Sequence, residues 1–196
     1  ITDLIHVIIR INITPSTKSE IIDLTQFLLD DCKLASKIKI HYAPVRAWNS
    51  DIKEVLSGFD YTQILKEIHQ YVTQKGWQDS LAQQRPIKAI LPCGSMQAMN
   101  CVIGPDGNIF RCEHNINDDK WRIGDIYNGF LRNNADMKYL LNPVYDKCAT
   151  CKAFPICAGG CIADKIVNNN PPFWCDDYID ILRENIDFVA QNRECK

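Results

Sequence analysis

The apolar residues fall into stretches of different period, and the period changes with the element expected. Residues 5–13, IHVIIRINI, are rich in β-branched side chains and mostly apolar on both faces, which predicts a strand of a parallel sheet covered on both sides. In TPSTKSEIIDLTQFLLDD, Thr17 and Glu20 have capping-box spacing, and Ile21, Leu24 and Leu28 then recur on one helical face. IKIHYAPV (38–45) alternates apolar and polar residues and reaches Pro44, which predicts a second strand. Strand, helix and strand in close succession make a βαβ unit with parallel strands and a right-handed crossover. A further helix is predicted over about 61–75, with Ile64, Ile68 and Tyr71 in register and Gly76 as its stop. In CVIGPDGNIFRC, Gly-Pro-Asp-Gly separates two apolar runs, which predicts a hairpin with Pro105 and Asp106 central and Gly107 free to take positive φ. The last helix is expected to start near Asp176 and to put Ile179, Leu182, Ile186 and Val189 on its apolar face.

One βαβ unit cannot cover both faces of its own sheet, and its first strand starts almost at residue 1, which is Ile. The expectation is that the chain begins inside a larger α/β domain. The alternative is a small sheet completed by later strands. The reading is therefore α+β, with a βαβ portion over 1–50, a linker with a helix over 51–89, and a cysteine-rich unit over 90–196.

Composition narrows the function classes. With 46% hydrophobic and 23% charged residues, the 196-residue chain reads as globular. A formal charge of −2 offers no basic field for nucleic acid. There is no apolar run of transmembrane length. The apolar opening is broken by Asp3, His6, Arg10 and Asn12 and lacks a small-residue cleavage site, so a cytoplasmic protein without signal peptide is expected. Of ten cysteines, eight lie between Cys93 and Cys175, a local enrichment that favours metal binding over a disulfide framework.

The spacing refines that choice. Cys148, Cys151, Cys157 and Cys161 follow C-x2-C-x5-C-x3-C, with Cys93, Cys101 and Cys112 before them and Cys175 after. Eight thiolates would complete two 4Fe–4S clusters. Zinc also accepts four thiolates, but usually from two C-x2-C pairs, and only one such pair is present. The tighter C-x2-C-x2-C-x3-C-P run of a bacterial ferredoxin is absent.

Cys93, thirteen residues, Gly107, four residues, Cys112, then the C-x2-C-x5-C-x3-C run and a lone Cys175 resemble the seven-cysteine motif of the SPASM domain. That domain carries auxiliary clusters at the C-terminus of many radical S-adenosylmethionine enzymes. The resemblance covers about residues 90–195, and WRIGDIYNGF (121–130) is similar to the family's connecting segment. It implies a first cluster on Cys93, Cys112 and Cys161, often completed by the residue matching Cys101, and a second on Cys148, Cys151, Cys157 and Cys175. If Cys101 is not a ligand, the first cluster has an open iron. Residues 1–50 then resemble the last strands of the family's partial (β/α) barrel. The CxxxCxxC loop that would hold a third cluster and cleave S-adenosylmethionine does not occur in the 196 residues. The chain is read as the C-terminal part of such an enzyme and inactive alone, its partners the missing barrel half, a peptide or protein substrate, and a flavodoxin- or ferredoxin-type reductant. The implied reaction is radical modification of a peptide, commonly a ribosomally made one, through hydrogen abstraction by a deoxyadenosyl radical. Alternatives from other classes are a non-catalytic electron-transfer or scaffold module and a zinc-structured binding protein.

Other residues carry weaker signals. Arg10 and Asn12, in the C-terminal half of the first strand, are candidates to contact cofactor or substrate, or are ordinary polar residues at a sheet end. Ala158-Gly159-Gly160 leave little bulk beside Cys157 and Cys161, so backbone N–H groups can approach sulfur. His69 reads as solvated and His114 as a loop histidine near Cys112. Cys32 and Cys195 read as free thiols, Trp121 and Trp174 as core or shielding, and Asp176-Asp177 as helix N-terminal acids.

Overall fold

The structure, a computed structural model, describes residues 5–35, 37–46, 54–82, 91, 93–141, 145–167 and 175–192. Residues 47–53, Trp174, Cys195 and the Asn168–Pro172 loop lie outside the described residues. The chain divides into two compact units: Ile1–Pro86 with Asp176–Lys196, and Ile87–Cys175.

In the first unit, β1 (Ile8–Ile13) and β2 (Lys39–Pro44) pair in parallel from Ile8–Lys39 to Ile13–Pro44, as the βαβ reading requires. A single parallel bridge from Ile40 to Leu81 extends the far edge of β2. The connection differs from the expected capped helix. A 3₁₀ turn at Lys18–Glu20 leads into α1 (Ile21–Gln26), which continues as a π-helical turn over Phe27–Asp31. The Thr17 side chain accepts from the Thr14 N–H at 3.0 Å and caps no helix, so the capping box does not form. The buried face is Ile21, Thr25 and Leu29, while Leu24 is 38% exposed. Thr25 decides the rotation: its hydroxyl donates to the Ile21 carbonyl at 2.6 Å and also hydrogen-bonds the Tyr42 hydroxyl in the core.

α2 (Gly58–Gln74) starts at Ser57, whose side chain accepts from the Asp60 N–H at 3.0 Å, and stops at Gly76 with φ 70°. It buries Tyr61, Ile64, Leu65, Ile68 and Val72. The terminal helix α6 (Tyr178–Gln191) packs on α2, within the first compact unit. Gly58 permits the approach, since a Cβ there would lie 2.4 Å from the Asp177 Cβ. The expected Ile186 face is rotated, with Ile186 41% exposed and Ile181 and Phe188 buried. The rotation follows from His69, which is not solvated but 7% exposed. Its ring stacks on Phe188 at 3.9 Å, and Nδ1 lies 2.8 Å from Glu184 Oε1. Burial holds the imidazole below its ordinary pKa, and Glu184 partly opposes this.

The second unit contains a four-stranded antiparallel sheet in the order β3 (Val102–Ile103), β4 (Asn108–Phe110), β5 (Gly124–Asp125), β6 (Gly129–Phe130). β3 and β4 form the expected hairpin, with Gly107 at φ 81° and the Gly104 N–H donating to the Asn108 carbonyl at 2.8 Å. β5 and β6 lie within WRIGDIYNGF and close through Asp125, whose Oδ1 accepts from the Tyr127 and Asn128 N–H groups at 3.0 and 2.8 Å. Short helices α3 (Asn134–Leu140), α4 (Phe154–Cys157) and α5 (Ile162–Ile166) complete the unit. Phe110, Trp121, Ile123, Tyr139 and Ile162 form its core. Among the described residues, no helix is long and apolar enough to cross a membrane.

Candidate metal centre

Eight cysteines lie in the second unit, and none of those described is in a disulfide. Cys112 ends the hairpin and is buried, with Cys93 and Cys161 near enough for their charges to act on it. Cys157, at the end of α4, is likewise influenced by Cys175, Cys148 and Cys151. By these influences the cysteines fall into two groups, Cys112 with Cys93 and Cys161, and Cys157 with Cys148, Cys151 and Cys175. Cys101, half-buried just before β3, is not among the charges acting on Cys112.

The local backbone explains how one short segment serves both groups. Ala158, Gly159 and Gly160 have φ of 49°, 95° and 75°, a left-handed run that turns the chain between Cys157 and Cys161. The Gly159 N–H hydrogen-bonds the Cys157 sulfur, and the His114 N–H does the same for Cys112. This is the backbone approach to sulfur that the glycine run led one to expect. Burial, ahead of the neighbouring acids and thiols, pushes the Cys112 thiol up to about 11. Cys157 is raised for the same leading reason. A metal that binds these sulfurs must therefore displace protons.

The donor set fits iron–sulfur ligation. The sulfurs are grouped rather than paired as disulfides, and N–H donors of the kind that stabilise metal thiolates reach one sulfur in each group. Zinc would accept the same donors.

Several neighbours carried no signal in the sequence reading. Lys165 in α5 is buried, 4% exposed, and is acted on by Cys148, Cys157 and Cys161. Burial lowers its pKa, and the three cysteines oppose that. Arg111, directly before Cys112, donates through Nε to Asp136 at 2.5 Å and through Nη1 to the Gln97 and Asn100 carbonyls at 2.6 and 2.7 Å. Nη2 adds a bond to the Ala98 carbonyl at 3.2 Å. One guanidinium thus holds the segment between Cys93 and Cys101 against the strand that ends at Cys112. Glu113 and His114 place their ligand atoms within 4.8 Å of each other and of the Cys112 sulfur. The only advance hints were a charged residue inside the apolar run NIFRC and the position of His114.

Arg10 and Asn12 lie on the exposed face of β1 in the other unit, with Arg10 Nε donating to Asn12 Oδ1 at 3.1 Å. His41 stands opposite Arg10 in the strand register, and burial together with the Arg10 charge lowers its pKa. Cys32 is exposed, and Trp121 is buried against Tyr139 with ring centroids 6.0 Å apart.

The chain is similar in sequence to anaerobic sulfatase-maturating enzymes. A cysteine-type enzyme from Clostridium perfringens is 26% identical over 119 residues, 52% of this chain and 32% of that one. A second, from another strain, is 30% identical over 77 residues, 35% of this chain and 20% of that one. In fold, the chain is similar to native anSMEcpe with bound AdoMet at a TM-score of 0.64 and 17% identity, covering 94% of this chain and 56% of that structure. The same enzyme with bound AdoMet and the Cp18Cys peptide matches equally, at 0.64 and 15% identity. The chain thus spans about half the length of the solved relative and less of the curated ones. No protein-family model matches.

Proposed function

We propose that the chain is the cluster-bearing C-terminal part of a radical S-adenosylmethionine enzyme that modifies a peptide or protein. The observation that carries this reading is the division of the cysteines, Cys112 with Cys93 and Cys161, and Cys157 with Cys148, Cys151 and Cys175. Cys93, Cys112 and Cys161, with Cys101 as fourth ligand, hold one 4Fe–4S cluster. Cys148, Cys151, Cys157 and Cys175 hold the other. Bound there, the clusters would supply one-electron chemistry or an anchoring point for substrate. The chain's own residues supply the frame: Arg111 fixes the Cys93–Cys101 segment, the left-handed run at 158–160 separates the groups, and Lys165 offsets charge between them. Unit one supplies the last βαβ portion of a partial barrel, with Arg10 in reach of cofactor or substrate there. S-adenosylmethionine, a third cluster and a small redox protein complete the enzyme, which acts in the cytoplasm. Peptide as substrate is supported by the relative solved with one.

Metal analysis after anaerobic reconstitution tests the reading. About eight iron atoms and matching sulfide per chain are expected, with about half lost in Cys112→Ala and about half in Cys157→Ala. Stoichiometric zinc without iron, in protein made under iron-replete anaerobic conditions, would sink it.

A further inference from the structure

Cys112, Glu113 and His114 are consecutive residues of three donor types. Among the described residues they are the one group of three cysteine, histidine or acidic side chains whose ligand atoms lie within 4.8 Å of one another. Consecutive side chains of a strand point to opposite faces. Here the backbone changes at Cys112, extended at φ −136°, into the 3₁₀ turn Glu113–Asn115, and the next two side chains come back beside the sulfur. The Asn115 and Ile116 N–H groups close the turn on the Cys112 and Glu113 carbonyls at 3.1 and 3.3 Å. Asn115, 1% exposed, pins it from inside, its Nδ2 donating to the Tyr139 hydroxyl at 2.7 Å. The Cys112 sulfur lies 3.9 Å from Glu113 Oε2, and His114 Nε2 lies 3.8 Å from Glu113 Oε1. In a tetrahedral zinc site, bonds of about 2.3 Å to sulfur and about 2.0–2.2 Å to nitrogen and oxygen put neighbouring donors about 3.3–3.7 Å apart. Only a few tenths of an ångström separate the turn from that geometry. Cys112 is buried, whereas the Glu113 and His114 side chains are 69% and 29% exposed, so an ion can enter from solvent without opening the core.

We propose that Cys112, Glu113 and His114 form a site for a single zinc ion, which takes the Cys112 sulfur in place of the first cluster. Mixed sulfur, nitrogen and oxygen donors suit zinc and are wrong for magnesium and calcium, which take oxygen. On binding, a zinc–sulfur bond forms, the thiol proton goes to solvent, and no electron moves. Three protein ligands leave the fourth tetrahedral position to water. The alternation rests on the two-cluster reading, because the ion and the first cluster need the same sulfur; the site itself does not. A chain carrying zinc on this turn can complete its second cluster and not its first.

The test is zinc K-edge X-ray absorption, which is blind to iron, on the 196-residue chain carrying Cys93→Ser and Cys161→Ser. The second group is first filled with iron and sulfide, and zinc is then added. Iron is counted beforehand in the wild-type chain, where its absence condemns the two-cluster reading and not the site. The spectrum should show one sulfur and an imidazole on zinc, and the imidazole signature should vanish in His114→Ala. Chelator competition should raise the zinc dissociation constant at least about tenfold in both His114→Ala and Glu113→Gln, since a lost ligand costs no less than a lost partner of a ligand. Both side chains reach the surface, so these substitutions leave the fold intact. If the serine chain fails to fold, wild-type protein given one equivalent of zinc decides by the same spectrum. Zinc held by sulfur alone, or with equal affinity in both variants, overturns the site. In the wild-type chain, imidazole-bound zinc and full iron loading should never occur together, and a chain holding both overturns the alternation.

Discussion

Asp136→Asn is the substitution whose consequence can be worked out most fully. Asp136 and Arg111 are both 0% exposed at their side chains, and Asp136 also meets Arg132 Nη1 at 3.2 Å. Arg132 is 46% exposed. Neutralising the carboxylate leaves the Arg111 charge buried with three carbonyl partners and no counter-ion. Removing one partner of a buried pair costs about 3–5 kcal/mol. The exposed arm is worth about 0–1 kcal/mol, so Arg132→Ala should be mild. At about 1.4 kcal/mol per decade, Asp136→Asn should speed exchange at protected sheet amides by about two to nearly four orders of magnitude. The Ile123 and Leu131 amides, which donate to Ile109 and Ile123 at 2.8 and 2.7 Å, report it directly. Hydrogen exchange of the loaded chain at several pH values, to establish equilibrium opening, is the assay. If Asp136→Asn accelerates these amides no more than Arg132→Ala does, the guanidinium is not depending on the carboxylate and the reasoning fails.

Two further outcomes are expected. Chelation of metal from the loaded chain should abolish exchange protection across much of residues 93–175, because each group of sulfurs ties together segments far apart in sequence; unchanged protection in the apoprotein would contradict this. His69 is held below its ordinary pKa mainly by burial, so the unfolded chain takes up its proton first as pH falls. The protection of α2 amides, corrected for intrinsic exchange, should therefore be full above the ordinary histidine pKa and decline below it, and His69→Gln should flatten the decline.

What the sequence disclosed and what it withheld have separable causes. The parallel pair, the Gly107 hairpin and the Gly76 stop were readable because each is local, a period or a turn residue acting on its neighbours. The grouping of Cys161 with Cys112 was implied only by resemblance, since no spacing states which sulfurs meet across a fold. β5 and β6 escaped because two-residue strands have no period, though Gly124 marks the place: a Cβ there would lie 2.0 Å from the Gly129 carbonyl oxygen. Arg111 with Asp136, and Asn115 with Tyr139, are paired over 25 and 24 residues and leave no local trace. The helix faces of α1 and α6 were misjudged for a related reason. Thr25 and His69 count as polar in any pattern, yet each finds a partner inside: Thr25 rotates its own helix, and His69 of α2 sets the face of α6 through Phe188 and Glu184.

The left-handed run at Ala158-Gly159-Gly160 has a consequence for charging order. Cys157 and Cys161 are four residues apart, so their Cα atoms cannot be separated by more than ~14 Å even if the chain were straight, and it is bent. Two unit charges ~14 Å apart at an effective dielectric of about 20 repel by about 1.2 kcal/mol. If each group of sulfurs held a reducible cluster, as proposed, an electron on one at about that distance would make the next harder to place on the other, by close to a decade in equilibrium constant. In that reading, a tether of three small residues would hold successive reductions apart in potential, which neither group of cysteines could do alone.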